Sequence, residues 1–282
     1  MKPASTPKTF ILPIIVGIIV ISGIVAFLWD VFQPTGRVRH PVSQPTSPLG
    51  GPPGISSGAP STQPGQSGAS QEPGSSFDEQ SLVQILKSDP KNLTAHLQLA
   101  NLYAVRGQLQ KATQEFEQVL AIDPSLWEAH YNLGIAYYDQ GHYDQAVKHY
   151  QEAITLHPNE ADIHFNLGLT YASLGKSHEA SEAYQASLRL NPANVAARNN
   201  LGSVYRRQGK LDLALKEYAQ ALALSPGDII SVYNVATTQD ALGRKKEAIQ
   251  HYENLLNLTS GKPDYQTQEK IAEKRLAFLK KS

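Results

Sequence analysis

Four asparagines recur along the chain at one constant interval, and their side chains could bind a peptide backbone. They are Asn132, Asn166, Asn200 and Asn234. Each primary amide offers N–H donors and a carbonyl acceptor, so it can hydrogen-bond to an extended peptide whatever the side chains of that peptide are. The recurrence therefore points to binding chemistry that is repeated along a periodic structure.

Three histidines follow the same interval, at His96, His130 and His164. Imidazole is a common metal ligand, but equivalent residues of successive packed helix pairs should lie roughly 10 Å apart, which is too far to share one ion. We therefore expect a packing role and predict no metal site. The sequence contains no HExxH, phosphate-loop, calcium-loop or nucleophile-elbow motif. It predicts no catalytic residue, no cofactor and no enzymatic activity.

The periodic unit that positions these residues is a pair of amphipathic helices. In residues 127–160, small and apolar side chains recur at helical spacing in two segments. Gly141 separates the two segments and Pro158 follows the second, as helix-ending residues should. The closing prolines keep the interval of the asparagines without slippage, at Pro90, Pro124, Pro158, Pro192 and Pro226.

Within each unit the order is a Leu–Gly pair, Tyr three residues later, then Ala, an aromatic residue and Pro. In residues 127–160 these are Leu133, Gly134, Tyr137, Ala146, Tyr150 and Pro158. The pattern resembles the tetratricopeptide repeat family, whose period is about 34 residues. The resemblance covers five units, at 93–126, 127–160, 161–194, 195–228 and 229–262. It implies an all-α fold, a right-handed superhelical solenoid of helix-turn-helix repeats.

The resemblance further implies that the first helix of each repeat lines a concave groove, into which the fifth and sixth residues look. The sixth residues are Gln98 and the four asparagines, and the fifth are Leu97, Tyr131, Phe165, Asn199 and Tyr233. This arrangement is similar to the asparagine ladder of repeat proteins that grip extended peptides, and it favours a protein or peptide partner. The alternative is that the asparagines stabilise neighbouring repeats.

Family members that bind the acidic C-termini of chaperones use a clamp of basic residues with asparagines. Asn101 and Asn132 match the asparagines of that clamp, and we include Asn101 in the predicted peptide-binding site. Leu97, Asp162 and Asn166 stand where basic residues should be. We therefore expect no carboxylate clamp.

Charge and cysteine content exclude other classes of function. The whole chain has 25 basic and 25 acidic residues. Residues 1–76 contain 4 of the basic and 2 of the acidic ones, so the rest of the chain has 21 basic and 23 acidic residues. A nucleic-acid-binding protein usually has a basic balance, so we expect no nucleic-acid partner. The absence of cysteine excludes disulfides, zinc–thiolate sites and thiol nucleophiles.

Residues 1–76 predict a membrane tether. After a short tail, 1–9, residues 10–29 form a run of 20 residues without a charge, and about 20 apolar residues span a bilayer. The alternative, a cleaved signal peptide, has a shorter apolar region. We expect a single-pass protein of a bacterial inner or thylakoid membrane. The basic residues on the two sides differ by one, which slightly favours repeats on the extracytoplasmic side.

Residues 30–76 predict a disordered linker, because 33–76 contain 9 Pro, 8 Gly and 9 Ser and bury too little apolar surface to fold. Capping helices are predicted at 77–88, before the first repeat, and at 264–281, after the last one.

The layout resembles bacterial membrane-anchored repeat proteins, including cyanobacterial ones, that assemble complexes or position enzymes. A scaffold is therefore the leading hypothesis. The alternatives are a self-associating structural protein, which would be a homo-oligomer, and a glycosyltransferase-associated repeat module. The latter is disfavoured because only 20 residues follow Lys262.

Overall fold

The computed structural model describes residues 78–281, which form twelve α-helices, one 3-10 helix and no strand. The α-helices are α1 (Glu79–Ser88), α2 (Leu93–Val105), α3 (Leu109–Ile122), α4 (Trp127–Asp139), α5 (Tyr143–Leu156), α6 (Ala161–Ser173), α7 (Ser177–Leu190), α8 (Val195–Arg207), α9 (Leu211–Leu224), α10 (Ile229–Ala241), α11 (Lys245–Thr259) and α12 (Gln266–Leu279). The 3-10 helix, Pro263–Tyr265, precedes α12. The predicted all-α repeat solenoid is confirmed for this part of the chain.

Helices α2 to α11 form five pairs, which we call repeats 1 to 5. The two helices of a pair pack against each other, and the second helix of each pair also packs against the first helix of the next. Because every helix contacts only its near neighbours, the pairs stack in the order of the sequence. Residues equivalent by sequence therefore lie in equivalent places along the stack.

The turn inside each repeat depends on a glycine. Gly141 has a φ of 79°, a left-handed conformation that residues with a side chain rarely adopt. It allows the His142 N–H to donate to Tyr137 O at 2.9 Å and the Gly141 N–H to donate to Tyr138 O at 2.9 Å. These two bonds satisfy carbonyls at the end of α4. The glycines that do the same in the other repeats are Gly107, Gly175, Gly209 and Gly243.

A buried tyrosine and a facing glycine set the distance between paired helices. A Cβ atom added to Gly134 would lie 2.6 Å from Tyr150 Cε1, closer than packed atoms can come. The Tyr150 side chain is 1% exposed, so the ring occupies the space that the missing side chain leaves. Gly168 with Tyr184 and Gly202 with Tyr218 repeat the contact at 2.7 and 2.6 Å.

Helix α12 covers the end of repeat 5, in the segment for which the sequence predicts a cap. It buries Ala272, Leu276 and Leu279 and packs against α11. Its Arg275 donates to both carboxylate oxygens of Asp240 on α10, at 2.6 and 2.7 Å. A bidentate pair fixes orientation as well as distance, so α12 is held to both helices of repeat 5.

The predicted tail 1–9, membrane span 10–29 and linker 30–76 lie outside the described residues. Among residues 78–281, none of the helices is both long enough and apolar enough to span a membrane.

Candidate peptide-binding groove

The first helices of successive repeats approach one another more closely than the second helices do. Successive first helices contact one another directly, α4 with α6, α6 with α8 and α8 with α10. Side chains also join them: Tyr138 OH lies 3.3 Å from Ser173 Oγ, and Arg206 donates to Thr237 Oγ1 at 3.1 Å. A stack whose first helices approach one another curves towards them. The face formed by α2, α4, α6, α8 and α10 is therefore the inner face.

The fifth residues of repeats 2 and 3 are mostly buried. The Tyr131 side chain is 5% exposed and Phe165 is 3% exposed. Their rings lie 6.1 Å from the Tyr150 ring and 5.9 Å from the Tyr184 ring, in tilted arrangements. These two aromatics therefore pack over the interior tyrosines and leave little surface on the inner face. Leu97 and Tyr233 are half-buried in the same positions of repeats 1 and 5.

Two of the four asparagines bridge neighbouring repeats. Asn166 Nδ2 donates to Tyr131 OH at 2.9 Å, and Asn234 Nδ2 donates to Asn199 Oδ1 at 3.4 Å. In both cases the sixth residue of one repeat donates to the fifth residue of the repeat before it. Such a bond stabilises the contact between repeats, as the alternative interpretation of the sequence requires.

The bridge is missing where the fifth residue has no acceptor atom. Asn132 follows a repeat with Leu97 at that position, and Asn200 follows one with Phe165. Neither amide has a hydrogen-bond partner among the side chains of residues 78–281. The four asparagines are thus two amides that bridge repeats, Asn166 and Asn234, and two that form no such bridge.

Asn199 belongs to a network that joins repeats 4 and 5. Its Nδ2 donates to Ser231 Oγ at 2.9 Å and to Asp228 Oδ2 at 3.2 Å. Asp228 also accepts from the Ser231 N–H at 2.8 Å and caps α10. Because Asn199 is 7% exposed and its amide is occupied, the structure gives it a structural role.

Two asparagine side chains on the first helices of repeats 1 and 2 have unpartnered oxygens. Asn101 Oδ1 on α2 and Asn132 Oδ1 on α4 are both buried and accept no hydrogen bond within the described part of the chain. Asn132 is only 7% exposed. Buried polar atoms are nearly always hydrogen-bonded, because an unmade bond costs about 1–3 kcal/mol. Each of these two oxygens therefore lacks the hydrogen bond that a buried oxygen normally accepts.

The electrostatic environment beside Tyr131 is negative. Burial raises the pKa of Tyr131, and the carboxylates of Asp162 and Glu160 raise it further. Further along the inner face, Arg206 acts in the opposite sense and partly offsets the burial that raises the pKa of Tyr233. Two carboxylates thus lie near Tyr131, and a guanidinium lies near Tyr233.

The periodic histidines bind backbone carbonyls. His96, His130 and His164 each place Nε2 against the carbonyl oxygen of the proline six residues earlier, at 3.1, 3.3 and 2.9 Å. Arg198 donates to Pro192 O in the same place. These contacts fasten each first helix to the turn before it, and the described residues contain no cluster of three metal-ligating side chains. Sequence reasoning missed this contact, although the constant Pro-to-His spacing of six residues could have indicated it.

Two family models match the array. The model described as "TPR repeat" matches residues 100–141 and 136–175, and the model described as "Tetratricopeptide repeat" matches residues 169–229. No curated protein is similar enough in sequence to be matched.

Solved structures with similar folds include the following three. The crystal structure of MamA is 24% identical, covers 59% of this chain and 98% of its own, and has a TM-score of 0.57. YrrB, described as a TPR protein with an unusual peptide-binding site, is 21% identical, covers 68% and 97%, and scores 0.58. MamA 41-end from Desulfovibrio magneticus RS-1 is 19% identical, covers 61% and 97%, and scores 0.58. Identities this low show the fold alone, and with the family models they support the tetratricopeptide repeat family for the array.

Proposed function

We propose that the protein is a scaffold whose inner face binds an extended peptide segment of a partner protein. The matches of residues 100–229 to tetratricopeptide repeat models support this proposal. The binding site begins at repeats 1 and 2, where Asn101 and Asn132 receive N–H groups from the peptide backbone. Asn200 adds a further free amide at repeat 4. The scaffold assembles a complex or positions an enzyme and performs no chemistry of its own.

The two buried, unpartnered oxygens Asn101 Oδ1 and Asn132 Oδ1 are the observation that carries this proposal. They stand on adjacent first helices, and each needs a donor. Both oxygens are covered in the unbound chain, so the two amides turn towards the peptide as it binds. A peptide backbone in extended conformation presents an N–H on the same edge at every second residue, so it offers donors in a row. Side chains of the peptide need not enter these contacts, which makes the site tolerant of sequence.

The neighbouring residues limit which peptides bind. Tyr131 and Phe165 are too deeply buried to offer broad aromatic surface, so we expect affinity to depend on backbone bonds and on charge. The acidic surroundings of Tyr131 favour a peptide with a basic residue over repeats 2 and 3. YrrB, a protein of similar fold that is described as having a peptide-binding site, supports peptide binding in general and no particular peptide.

Membrane attachment is part of the proposal and rests on the sequence. Residues 10–29 anchor the chain, and residues 30–76 let the array search a shell above the bilayer with a root-mean-square reach of roughly 35–40 Å. The repeats then face the extracytoplasmic side. Protease added to sealed vesicles of known orientation tests this, because cleavage of the linker only from the cytoplasmic side would contradict it.

A pull-down from solubilised membranes tests the binding site itself. The full chain with Asn101→Ala and Asn132→Ala should recover about tenfold less partner than the wild type, since each lost bond to a buried amide weakens binding by about 0.5–1.5 kcal/mol. The matched control is Asn254→Ala with Asn257→Ala, two exposed asparagines on the second helix α11. Equal recovery by the two double variants would refute the proposed groove.

A further inference from the structure

A contact between the two helices of one repeat, on the side of the array where the second helices lie, occurs in repeats 1, 2 and 4 and is missing in repeats 3 and 5. In repeat 1, His96 Nδ1 lies 2.6 Å from Glu115 Oε2. In repeat 2, His130 Nδ1 lies 3.1 Å from His149 Nδ1. In each case a residue at the start of the first helix meets the side chain 19 residues later on the second helix.

Repeat 4 makes the same contact with an arginine. Arg198 Nη1 donates to Glu217 Oε2 at 3.1 Å, and the two side chains are 17% and 15% exposed. The guanidinium also donates to Gln220 Oε1 and to Pro192 O. It lies in a hollow of about 340 Å³ between the second helices of repeats 3 and 4.

In repeat 3 the second-helix residue is Ala183, which has no side chain to make this contact. His164 keeps only its bond from Nε2 to Pro158 O, at 2.9 Å. Because the carbonyl accepts, Nε2 carries the proton, and Nδ1 of the neutral imidazole bears a lone pair. Nδ1 has no hydrogen-bond partner among residues 78–281.

The vacant position opens into a hollow of about 420 Å³ between the second helices of repeats 2 and 3. It corresponds, one repeat earlier, to the hollow beside Arg198: His164 replaces Arg198, and Ala183 replaces Glu217. Ile154, Leu167 and Ala186 supply apolar surface in it.

The polar groups of this hollow indicate the charge of a ligand. Glu179 and Glu182 line it, and none of its described lining residues is a lysine or an arginine. Glu182 has only a long contact, 3.9 Å, to the exposed His178, which is worth little in water. Two carboxylates and an imidazole lone pair form a set of acceptors, so a ligand must supply several donors and positive charge.

We propose that this hollow binds an arginine side chain of a partner protein. The guanidinium has five N–H donors in one plane, enough for Glu179, Glu182 and His164 Nδ1 together, and its methylene stem can lie on the apolar surface. The chain itself places a guanidinium in the corresponding hollow of the next repeat. The site lies on the outer face, so it is independent of the inner groove and of the proposed function.

The test uses the full chain in detergent with N-acetyl-L-arginine amide as the probe. The histidine ring signals are followed by NMR, and the signal of His164 is assigned by its loss in His164→Gln. We expect the arginine probe to shift the His164 signal with a dissociation constant in the millimolar range, as an isolated side chain should. N-acetyl-L-glutamate amide and N-acetyl-L-norleucine amide should not shift it.

Two variants sharpen the result. The exposed pair Glu179→Gln with Glu182→Gln removes the two carboxylates and should weaken probe binding about tenfold or more, whereas Ala183→Ser, which keeps both carboxylates and leaves the hollow open, should not. An unmoved His164 signal, equal shifts with the glutamate probe, or unchanged binding by the charge-removing variant would each overturn the proposal. The Asn101→Ala, Asn132→Ala variant should bind the probe normally.

Discussion

Replacing Asn166 by alanine should destabilise the array, whereas replacing Asn132 should not. Asn166 donates to Tyr131 OH at 2.9 Å, and the Tyr131 side chain is only 5% exposed. Asn166→Ala leaves that hydroxyl without its donor where water hardly reaches. A buried group that loses its partner costs about 1–3 kcal/mol, so we expect the free energy of unfolding to fall by about 1–3 kcal/mol.

Asn132→Ala removes a carbonyl oxygen that is buried without a partner. The substitution therefore relieves a penalty of about 1–3 kcal/mol, which offsets the packing lost when the side chain is shortened. The free energy of unfolding should stay within about 1 kcal/mol of the wild type, the usual range for a substitution that breaks no contact. Two identical substitutions in equivalent positions should thus differ in effect because one amide bridges two repeats and the other does not.

The assay is urea unfolding of residues 77–282 followed by circular dichroism, with both variants and the wild type measured together. Tyr131→Phe combined with Asn166→Ala removes both partners of the bond and should cost less than the sum of the two single changes. If Asn132→Ala lowers the unfolding free energy as much as Asn166→Ala does, all the asparagines serve the same structural role. The distinction between bridging and ligand-binding amides would then be refuted.

Two further predictions concern the interior and the pH dependence. Gly168→Ala should lower the unfolding free energy by about 1–2 kcal/mol in urea melts, because the added Cβ atom would lie 2.7 Å from the Tyr184 ring. The cost of this overpacking exceeds the roughly 1 kcal/mol that alanine gains over glycine in helix propensity. An unchanged urea midpoint would contradict the close packing of Gly168 on Tyr184. Burial, with smaller contributions from His130 and Lys148, lowers the pKa of His149 from 6.5 to about 4. The unfolded chain then binds the proton more readily, so stability present above pH 6.5 should be lost as the pH falls towards about 4. The melting temperatures of the wild type and of His149→Gln, measured across this pH range, should converge in acid. If the two melting temperatures change in parallel with pH, His149 does not cause the pH dependence.

The fold could be predicted because every repeat carries the same local signals. Gly141 and its equivalents end the first helices, and the periodic prolines end the second ones. The close packing of Gly134 on Tyr150 follows from pairing the smallest residue with a large ring. Each of these features involves only one helix pair. Because the same residues recur in every repeat, the structure of one pair predicts the structure of the whole array.

The site could be predicted only in part because its chemistry depends on pairs of residues in different repeats. Asn166 and Asn132 occupy the same position, and their roles differ because the preceding repeats carry Tyr131 and Leu97. A sequence comparison that aligns the repeats and looks at one position at a time does not detect this difference, because the difference depends on a second position in the preceding repeat. The hollow beside Ala183 was missed for a related reason, since only the packed structure shows which residues of the two helices meet.

Site-specific photo-crosslinking in cells that express the full chain would test the peptide-binding inner face most directly. A benzophenone amino acid is placed at Asp162, an exposed residue whose carboxylate acts on Tyr131, and in a second variant at Gln145, which is exposed on the second helix α5. We expect one discrete protein adduct from position 162, none from position 145, and loss of the adduct when Asn101→Ala and Asn132→Ala are added. An adduct that forms equally at both positions, or that persists in the asparagine variant, would contradict a peptide-binding inner face.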